Sequence, residues 1–459
     1  MKKLLAILLI LIPLFFAEGQ GWGDADVAYM LYDIDSSRVV VDNRAEIKMT
    51  PASVLKLVTI ASSLEMLGAD SRITTNVTTN GTVDSNGVLN GNIYVKGALD
   101  PTVESAFFDD VRFFRPLIDT LRSRQIKSVN GDIVVDGSII RREAVPDKWV
   151  LEDLATYYGV GCYGISVYDN VRNVSMRSSG IGQGVSFSFQ YPECSPHVID
   201  RLEVVNGPTN GIHFYALPYG NEILVDGVMG SHSSWGEPLA ITNPVMFFAQ
   251  HLMKRLQDAG ISVSGSPREG KASGDNLLYS HMSPMLFHIV RETNYKSNNH
   301  FAQHLFRLLG AKGTGGRTAT ADAVMTISNL WKNRGIDLSS ASLYDGNGLS
   351  PFDAVTPRQI VDILNYMWHS DNGYYFFHSL PQCGRDGTVA TLFVNSPLYV
   401  RAKSGSMSGV QSYAGYIVSK GRCYSFCFFV NEFSCTRQQV KNLIEQTITS
   451  EVCNYEDTF

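Results

Sequence analysis

MTPASVLKLVTIASSLEMLGA, residues 49–69, is an apolar run rich in Leu, Val, Ile and Ala, bracketed by Pro51 and Gly68. Thr50 as N-cap with Pro51 in the first helical position predicts a helix over about 51–67. One cation, Lys56, stands in its middle, three residues after Ser53. Positions i and i+3 are neighbours on one helix face, so the amine can reach the hydroxyl. Ser53 falls in the first turn, near the positive end of the helix dipole. Both flanks of Lys56 are apolar (Val54, Val58 and Ala61; Leu57, Ile60 and Leu64), which predicts a helix buried nearly all round. Burial disfavours an ammonium and can lower its pKa by about 3–5 pKa units. An uncharged lysine beside a serine is a base beside a nucleophile. The plain alternative is a snorkelling surface lysine, and the apolar flanks speak against it.

Two further stretches carry chemistry. RAKSGSMSGVQSYAGYI (401–417) contains Lys403-Ser404-Gly405-Ser406 ahead of an apolar strand. An edge strand beside a serine nucleophile can supply a backbone N–H for an oxyanion, a hydroxyl, and a cation for a substrate carboxylate. Gly405 is expected to leave space for a ligand against the backbone. A basic, glycine-rich loop is the alternative. Lys296-Ser297-Asn298-Asn299 leads into an amphipathic helix, NHFAQHLFRLL. A Ser and an Asn two apart can both face a cleft; an ordinary cap at Ser297 or Asn298 is the alternative.

Outward from these motifs, the chain divides by texture. Residues 27–41 read as strand, turn, strand. From about 72 to 240, short β segments are separated by turn dipeptides such as Asn80-Gly81, Asn90-Gly91 and Asn130-Gly131. Asn243-Pro244 opens a helix that Gly260 ends, and Ser283-Pro284 opens another. Helices follow near 299–309, 320–333, 357–368 and 436–449. LYVRAKSG, VQSYAGYIVS and CYSFCFFVNEF predict three antiparallel strands before the last helix. Helix and sheet at both ends with a β-rich middle predict an α/β domain built from both termini and interrupted by a long insertion.

Length and composition bound the function. The 459 residues are too many for one core, 44% are apolar, and the net charge is −6. That balance excludes a nucleic-acid binder, which needs a basic footprint. Lys2 and Lys3, LLAILLILIPLFF and Ala17-Glu18-Gly19 predict a cleavable signal peptide over 1–19, a mature start near Gln20 and export to the periplasm. No later apolar run is long enough to span a bilayer, so membrane association is at most peripheral. Seven cysteines form no CxxC pair. Cys423 and Cys427 share one strand face but lie about 13 Å apart, too far to bridge. Buried thiols are expected, with Cys162–Cys194 as a candidate disulfide. A metal site is the weaker reading. His300 and His304 have i, i+4 spacing, but Phe301 stands where a zinc peptidase needs Glu. A Ser-His-Asp hydrolase is disfavoured because no G-x-S-x-G occurs.

S-x-x-K, S-x-N and K-[S/T]-G together are the signature of serine β-lactamases and penicillin-binding proteins. Ser53–Lys56 and Lys403–Gly405 are each unique in the chain. Ser128-Val129-Asn130 and Ser370-Asp371-Asn372 also fit the less selective middle motif; the latter spells S-D-N literally, but it follows a helix end and stands only 33 positions before Lys403. Ser297 leads a helix, the context the motif requires. The gap of 244 positions from Ser53 to Ser297 is far longer than in common β-lactamases. With VKGALDPT (95–102), LYDGNGLS (343–350) and LPQCGRDGT (380–388), the chain resembles the penicillin-binding protein 4 family of D-alanyl-D-alanine carboxypeptidases/endopeptidases, the class C low-molecular-mass penicillin-binding proteins.

The resemblance implies a transpeptidase-like domain (20–76 and 278–459), with a second domain inserted in it (77–160 and 238–277) and a third inserted in the second (161–237). It implies hydrolysis of the D-Ala–D-Ala bond of peptidoglycan stem peptides, often also of the D-Ala–diaminopimelate crosslink, with β-lactams as covalent inhibitors and no cofactor. Ser53 is then the acylated nucleophile, Lys56 its base, Ser297 a proton relay, and Asn299 the holder of the substrate amide. Lys403 and Ser404 bind the terminal carboxylate, and the N–H groups of Ser53 and Ser406 form the oxyanion hole. Asp153 and Tyr158, in DKWVLEDLATYYG, match the family's acidic and aromatic pair that meets the diaminopimelate amine. The chain departs in having Ser404 for the usual Thr, and Pro351 where the family has an arginine that anchors a side-chain carboxylate. The alternatives are a β-lactamase, or a peptidoglycan-binding protein of the same fold without turnover.

Overall fold

The computed structural model describes residues 22–110, 112–208 and 210–458. The expected signal peptide lies outside them.

The two ends of the chain meet in one five-stranded antiparallel sheet, in the order Tyr399–Met407, Val410–Ser419, Arg422–Asn431, Asp26–Asp33, Arg38–Asn43. The strand Asp26–Asp33 pairs along its whole length with Arg422–Asn431. Phe426, Phe428 and Val430 face the C-terminal helix Arg437–Glu456, packing with Val440, Ile444 and Ile448. Cys427 and Phe429 face the opposite, helical layer. A strand covered on both faces reads as a continuous apolar run, which is why CYSFCFFV carries no alternation.

That helical layer holds Leu286–Lys296, Asn299–Thr314, Thr320–Lys332 and Pro357–His369 around the nucleophile segment. The expected single helix over 51–67 is instead a 3-10 turn, Ala52–Leu55, followed by an α-helix, Lys56–Leu67. Thr50 does not cap it; its hydroxyl donates to the Pro351 carbonyl (3.5 Å). The segment is held from outside, because Ser412 Oγ donates to the Pro51 carbonyl (2.6 Å). Ala52 sits at φ +45°, a left-handed conformation worth about 1–3 kcal/mol of strain that surrounding contacts must offset.

Residues 74–282 build the rest. Strands Thr74–Thr79 and Asn276–Met282 pair antiparallel, so the chain enters and leaves this region side by side. They belong to a mixed five-stranded sheet, packed with the helices Phe114–Ser123 and Pro244–Asp258. Asn243 caps the second of these by accepting from Met246 N. The first falls in the stretch expected to be β-rich, and its N-terminal N–H groups are satisfied by a distant side chain, Glu104 Oε1, which accepts from Phe113 and Phe114. Between 171 and 240 two three-stranded sheets face each other around Val174, Met176, Val225 and Leu239. Cys162 and Cys194 are not bonded; each is a free, buried thiol, in separate apolar clusters. No helix among the described residues is long and apolar enough to cross a membrane.

Candidate active site

A cleft of about 1030 Å³ opens where the sheet edge, the helical layer and the region around residue 155 converge, lined by Ser53, Ser297, Asn299, Ser404 and Ser406, among others. Lys56 lies at its floor, wholly buried. Its Nζ is 2.7 Å from each of three oxygens: Ser53 Oγ, Asn299 Oδ1 and the Asn347 carbonyl. Asn299 Nδ2 donates to the Tyr158 carbonyl (3.0 Å), which fixes the amide with its oxygen toward the lysine. Two of the three partners can therefore only accept. An uncharged amine has two N–H donors and one lone pair. The donors are taken by Asn299 and Asn347, so the lone pair falls to the Ser53 hydroxyl. Burial lowers the Lys56 pKa to about 7, against the carboxylates of Asp345 and Asp353. Burial and the neighbouring Asp345 push Asp353 well above the usual carboxyl range.

Asp345 organises the wall beneath. Its carboxylate accepts from the backbone N–H groups of Asn347, Gly348 and Ser350 (2.9, 2.6 and 2.8 Å) and from Trp149 Nε1 (2.7 Å). This curls DGNGLS so that the Asn347 carbonyl reaches Lys56. Gly348 (φ +74°) is required there, since a Cβ would stand 1.9 Å from the Ala52 carbonyl oxygen.

Ser297 is the first residue of a two-residue corner between two helices, at φ 53°. The cap of the second helix is Asn298, which accepts from Phe301 N, leaving Ser297 free for the cleft. Lys403 Nζ donates to Ser297 Oγ (2.8 Å) and to the Ser404 carbonyl (2.6 Å). Burial, then the Lys56 amine, holds Lys403 well below its usual range. Ser404 Oγ and Thr388 Oγ1 lie 2.7 Å apart and both line the cleft. Gly405 does not open space for a ligand, as the sequence reading expected. A Cβ there would meet Ser412 Oγ at 2.3 Å, Pro51 O at 2.6 Å and Ser53 N at 2.9 Å, so glycine lets the edge strand press against the nucleophile segment.

Asp153, Tyr158 and Pro351 line the far wall. Burial raises the Asp153 pKa, with the Tyr158 phenol opposing it. The decoy Ser370 ends the helix Pro357–His369, and Asn372 donates to Glu65 Oε1. His304 is buried with Nε2 on Ser166 Oγ (2.6 Å) and Nδ1 on the His300 carbonyl (2.8 Å). Among the described residues no group of three or more His, Cys, Asp or Glu is placed to hold a metal. Asp345, Asn347 and Thr388 are absent from the sequence reading as individual site residues, although their blocks, LYDGNGLS and LPQCGRDGT, stand out in it.

Fold and site together define a serine peptidase of the penicillin-binding class. Residues 19–451 match the model of the D-Ala-D-Ala carboxypeptidase 3 (S13) family, and the chain belongs to it. It is 23% identical to the D-alanyl-D-alanine carboxypeptidase DacB of Haemophilus influenzae, over 89% of this chain and 86% of that one. It is 26% identical to the D-alanyl-D-alanine carboxypeptidase of Actinomadura sp. strain R39, over 81% and 71%. The crystal structure of penicillin-binding protein 4 from H. influenzae superposes with a TM-score of 0.82 at 22% identity, covering 93% of this chain and 97% of that one. The same protein complexed with a β-lactam gives 0.77 at 20% identity, with the same coverage. The chain is thus a serine-type D-Ala-D-Ala carboxypeptidase with the mixed α/β penicillin-binding fold.

Proposed function

We propose that this enzyme cleaves the terminal D-Ala–D-Ala bond of peptidoglycan stem peptides, and the D-Ala–diaminopimelate crosslink, through an ester on Ser53. Lys56 takes the Ser53 proton as Oγ attacks the carbonyl. The N–H groups of Ser53 and Ser406 receive the developing oxyanion. As the C–N bond breaks, the proton passes from Lys56 by way of the Ser297 hydroxyl to the leaving amine. Water then attacks the ester, the C–O bond breaks, and Oγ recovers a proton. Asn299 holds the substrate amide. The terminal carboxylate binds Lys403, Ser404 and Thr388, and its charge favours the ammonium form of Lys403 that burial alone disfavours. The observation that carries this reading is the Ser53–Lys56 contact, with both other partners of the amine confined to accepting.

The inhibitors of this site are β-lactams, in keeping with the β-lactam complex of the H. influenzae relative. The work of the enzyme is on the cell wall, and residues 1–19 support export to the periplasm. The separate apolar cores support three domains near the limits 20–76 with 278–459, 77–160 with 238–277, and 161–237, although Tyr163, Ile165, Val167 and Cys194 pack in the second core and Ala155 and Leu239 in the third. Incubation with a fluorescent penicillin, followed by peptide mapping, will place a long-lived adduct on Ser53, and D-Ala will be released from diacetyl-Lys-D-Ala-D-Ala. Folded protein that takes up no label would overturn the proposal. Rapid penicillin hydrolysis would favour a β-lactamase, and labelling without D-Ala release a non-hydrolytic binder.

Asp153 is proposed to meet a substrate ammonium. Asp153→Asn will raise KM about tenfold for a peptide with a free side-chain amine, the 1.4 kcal/mol of a lost charge-assisted contact. The same peptide with that amine acetylated, and penicillin itself, will be unaffected. Equal losses on both peptides would exclude the role.

A further inference from the structure

A second groove, of about 320 Å³, lies beside the catalytic cleft, where the two small sheets of residues 171–240 open at their edges. One wall is the strand Ser234–Ala240, at the edge of its sheet, paired with Val171–Ser178 and bridged at Leu239 to Thr156. The other is Asn210–Ala216, an edge strand that among the described residues pairs with Glu222–Gly230 alone. Trp235, Phe214, Tyr215 and Leu239 supply an aromatic and aliphatic lining. Trp235 is 40% exposed, unusual for an indole. Glu152 and Glu237 add two carboxylates, and neither has a hydrogen-bonding or ionic partner among the described residues. The Trp235 indole N–H likewise has none there.

The groove and the cleft share a wall. Glu152 lines both. Along the strand Ser234–Ala240, Trp235, Glu237 and Leu239 face the groove while Pro238 lines the cleft. Trp235 and Pro238 are three residues apart, about 10 Å. Because Glu152 lines both, a ligand in the groove adjoins a peptide in the cleft.

Its chemistry follows from the walls. Flat aromatic faces with unpaired acceptors, one indole donor and the His213 imidazole suit a ring with apolar C–H faces and a hydroxylated, amide-bearing rim. The carboxylates disfavour a stem peptide, which is itself an acid. The sugar backbone that carries those peptides is uncharged where its lactyl group is in amide linkage. We propose that this groove binds N-acetylated hexose units of the glycan strand to which the substrate peptide is attached. The proposal rests on the peptidoglycan reading of the neighbouring cleft.

The test uses the full chain and the peptide-free N-acetylglucosamine tetramer as probe. Saturable binding is expected by titration calorimetry, weakened at least about tenfold in Trp235→Ala. On a disaccharide-linked pentapeptide, Trp235→Ala will show a several-fold higher KM, with unchanged turnover of diacetyl-Lys-D-Ala-D-Ala and unchanged penicillin labelling, which also reports that the variant is folded. Trp235→Phe will restore most of the binding. No saturable binding of the tetramer to the parent protein, or equal binding by Trp235→Ala, would overturn the proposal. So would binding of an extended acidic peptide in place of the sugar. Loss of penicillin labelling in the parent protein would instead count against the catalytic reading, so the two failures are distinguishable.

Discussion

Lys56→Met will be acylated by penicillin about 10²–10⁴-fold more slowly than the parent protein, the contribution of a positioned general base. The thioether fills the buried channel of the lysine stem but has no lone pair basic enough for the Ser53 proton. Lys56→Arg will not restore the rate, because a guanidinium stays protonated and cannot accept a proton. The parent protein will show the signature of the base directly. With the Lys56 pKa lowered to about 7, the uncharged amine is a minor species below that pH and the dominant one above it. The acylation rate will therefore fall about tenfold per pH unit on the acid side and level off above about pH 8. In Lys56→Met that acid limb will be gone. Rapid-quench labelling across pH measures both. A Met variant that kept the limb would assign it to another group.

Asp345→Asn will have the largest effect on stability, about 3–5 kcal/mol by denaturant unfolding. Four donors converge on this carboxylate, two on each oxygen. An amide can satisfy only one pair, and its own NH₂ then faces the other. The DGNGLS curl will loosen, with it the Asn347 carbonyl that takes one donor of Lys56. A second effect has a definite sign. The Asp345 charge raises the Lys56 pKa against burial. Its removal will lower that pKa further, so the acid limb of acylation will shift to lower pH even as the protein becomes less stable. A merely structural aspartate would weaken the fold and leave the limb in place.

What could be read from the sequence, and what could not, follows from the range of the interactions. Ser53 with Lys56, Ser297 with Asn299, and Lys403 with Ser404 are local pairs whose spacing carries their geometry. The decoy at Ser370 could be set aside because a helix end is also a local signal. The partners that confine Lys56 are not local: the Asn347 carbonyl and Asn299 Oδ1 lie 291 and 243 residues away. The turn that breaks the helix at Lys56 is imposed by Ser412 and by the strand crossing at Gly405, neither of which leaves a trace in residues 49–69. Apolar residues at 114, 117, 118 and 121 do have helical spacing, but the helix begins without a cap of its own because Glu104 serves it from outside. The candidate pairing of Cys162 with Cys194 failed because proximity in a β-rich stretch of sequence says nothing about which core each thiol enters.

The sheet that joins both termini also sets a clock. Ser53 and Lys56 lie in the first eighth of the chain, whereas Lys403, Ser404 and the strand that faces them emerge 350 positions later. The strand Asp26–Asp33 has no neighbour on its inner side until Arg422–Asn431 exists. An unfinished chain therefore carries a serine and an amine but no floor, no carboxylate clamp and no edge strand to hold them. The bond-cutting centre directed at the cell's own wall is therefore incomplete until the last strands of the sheet have been made.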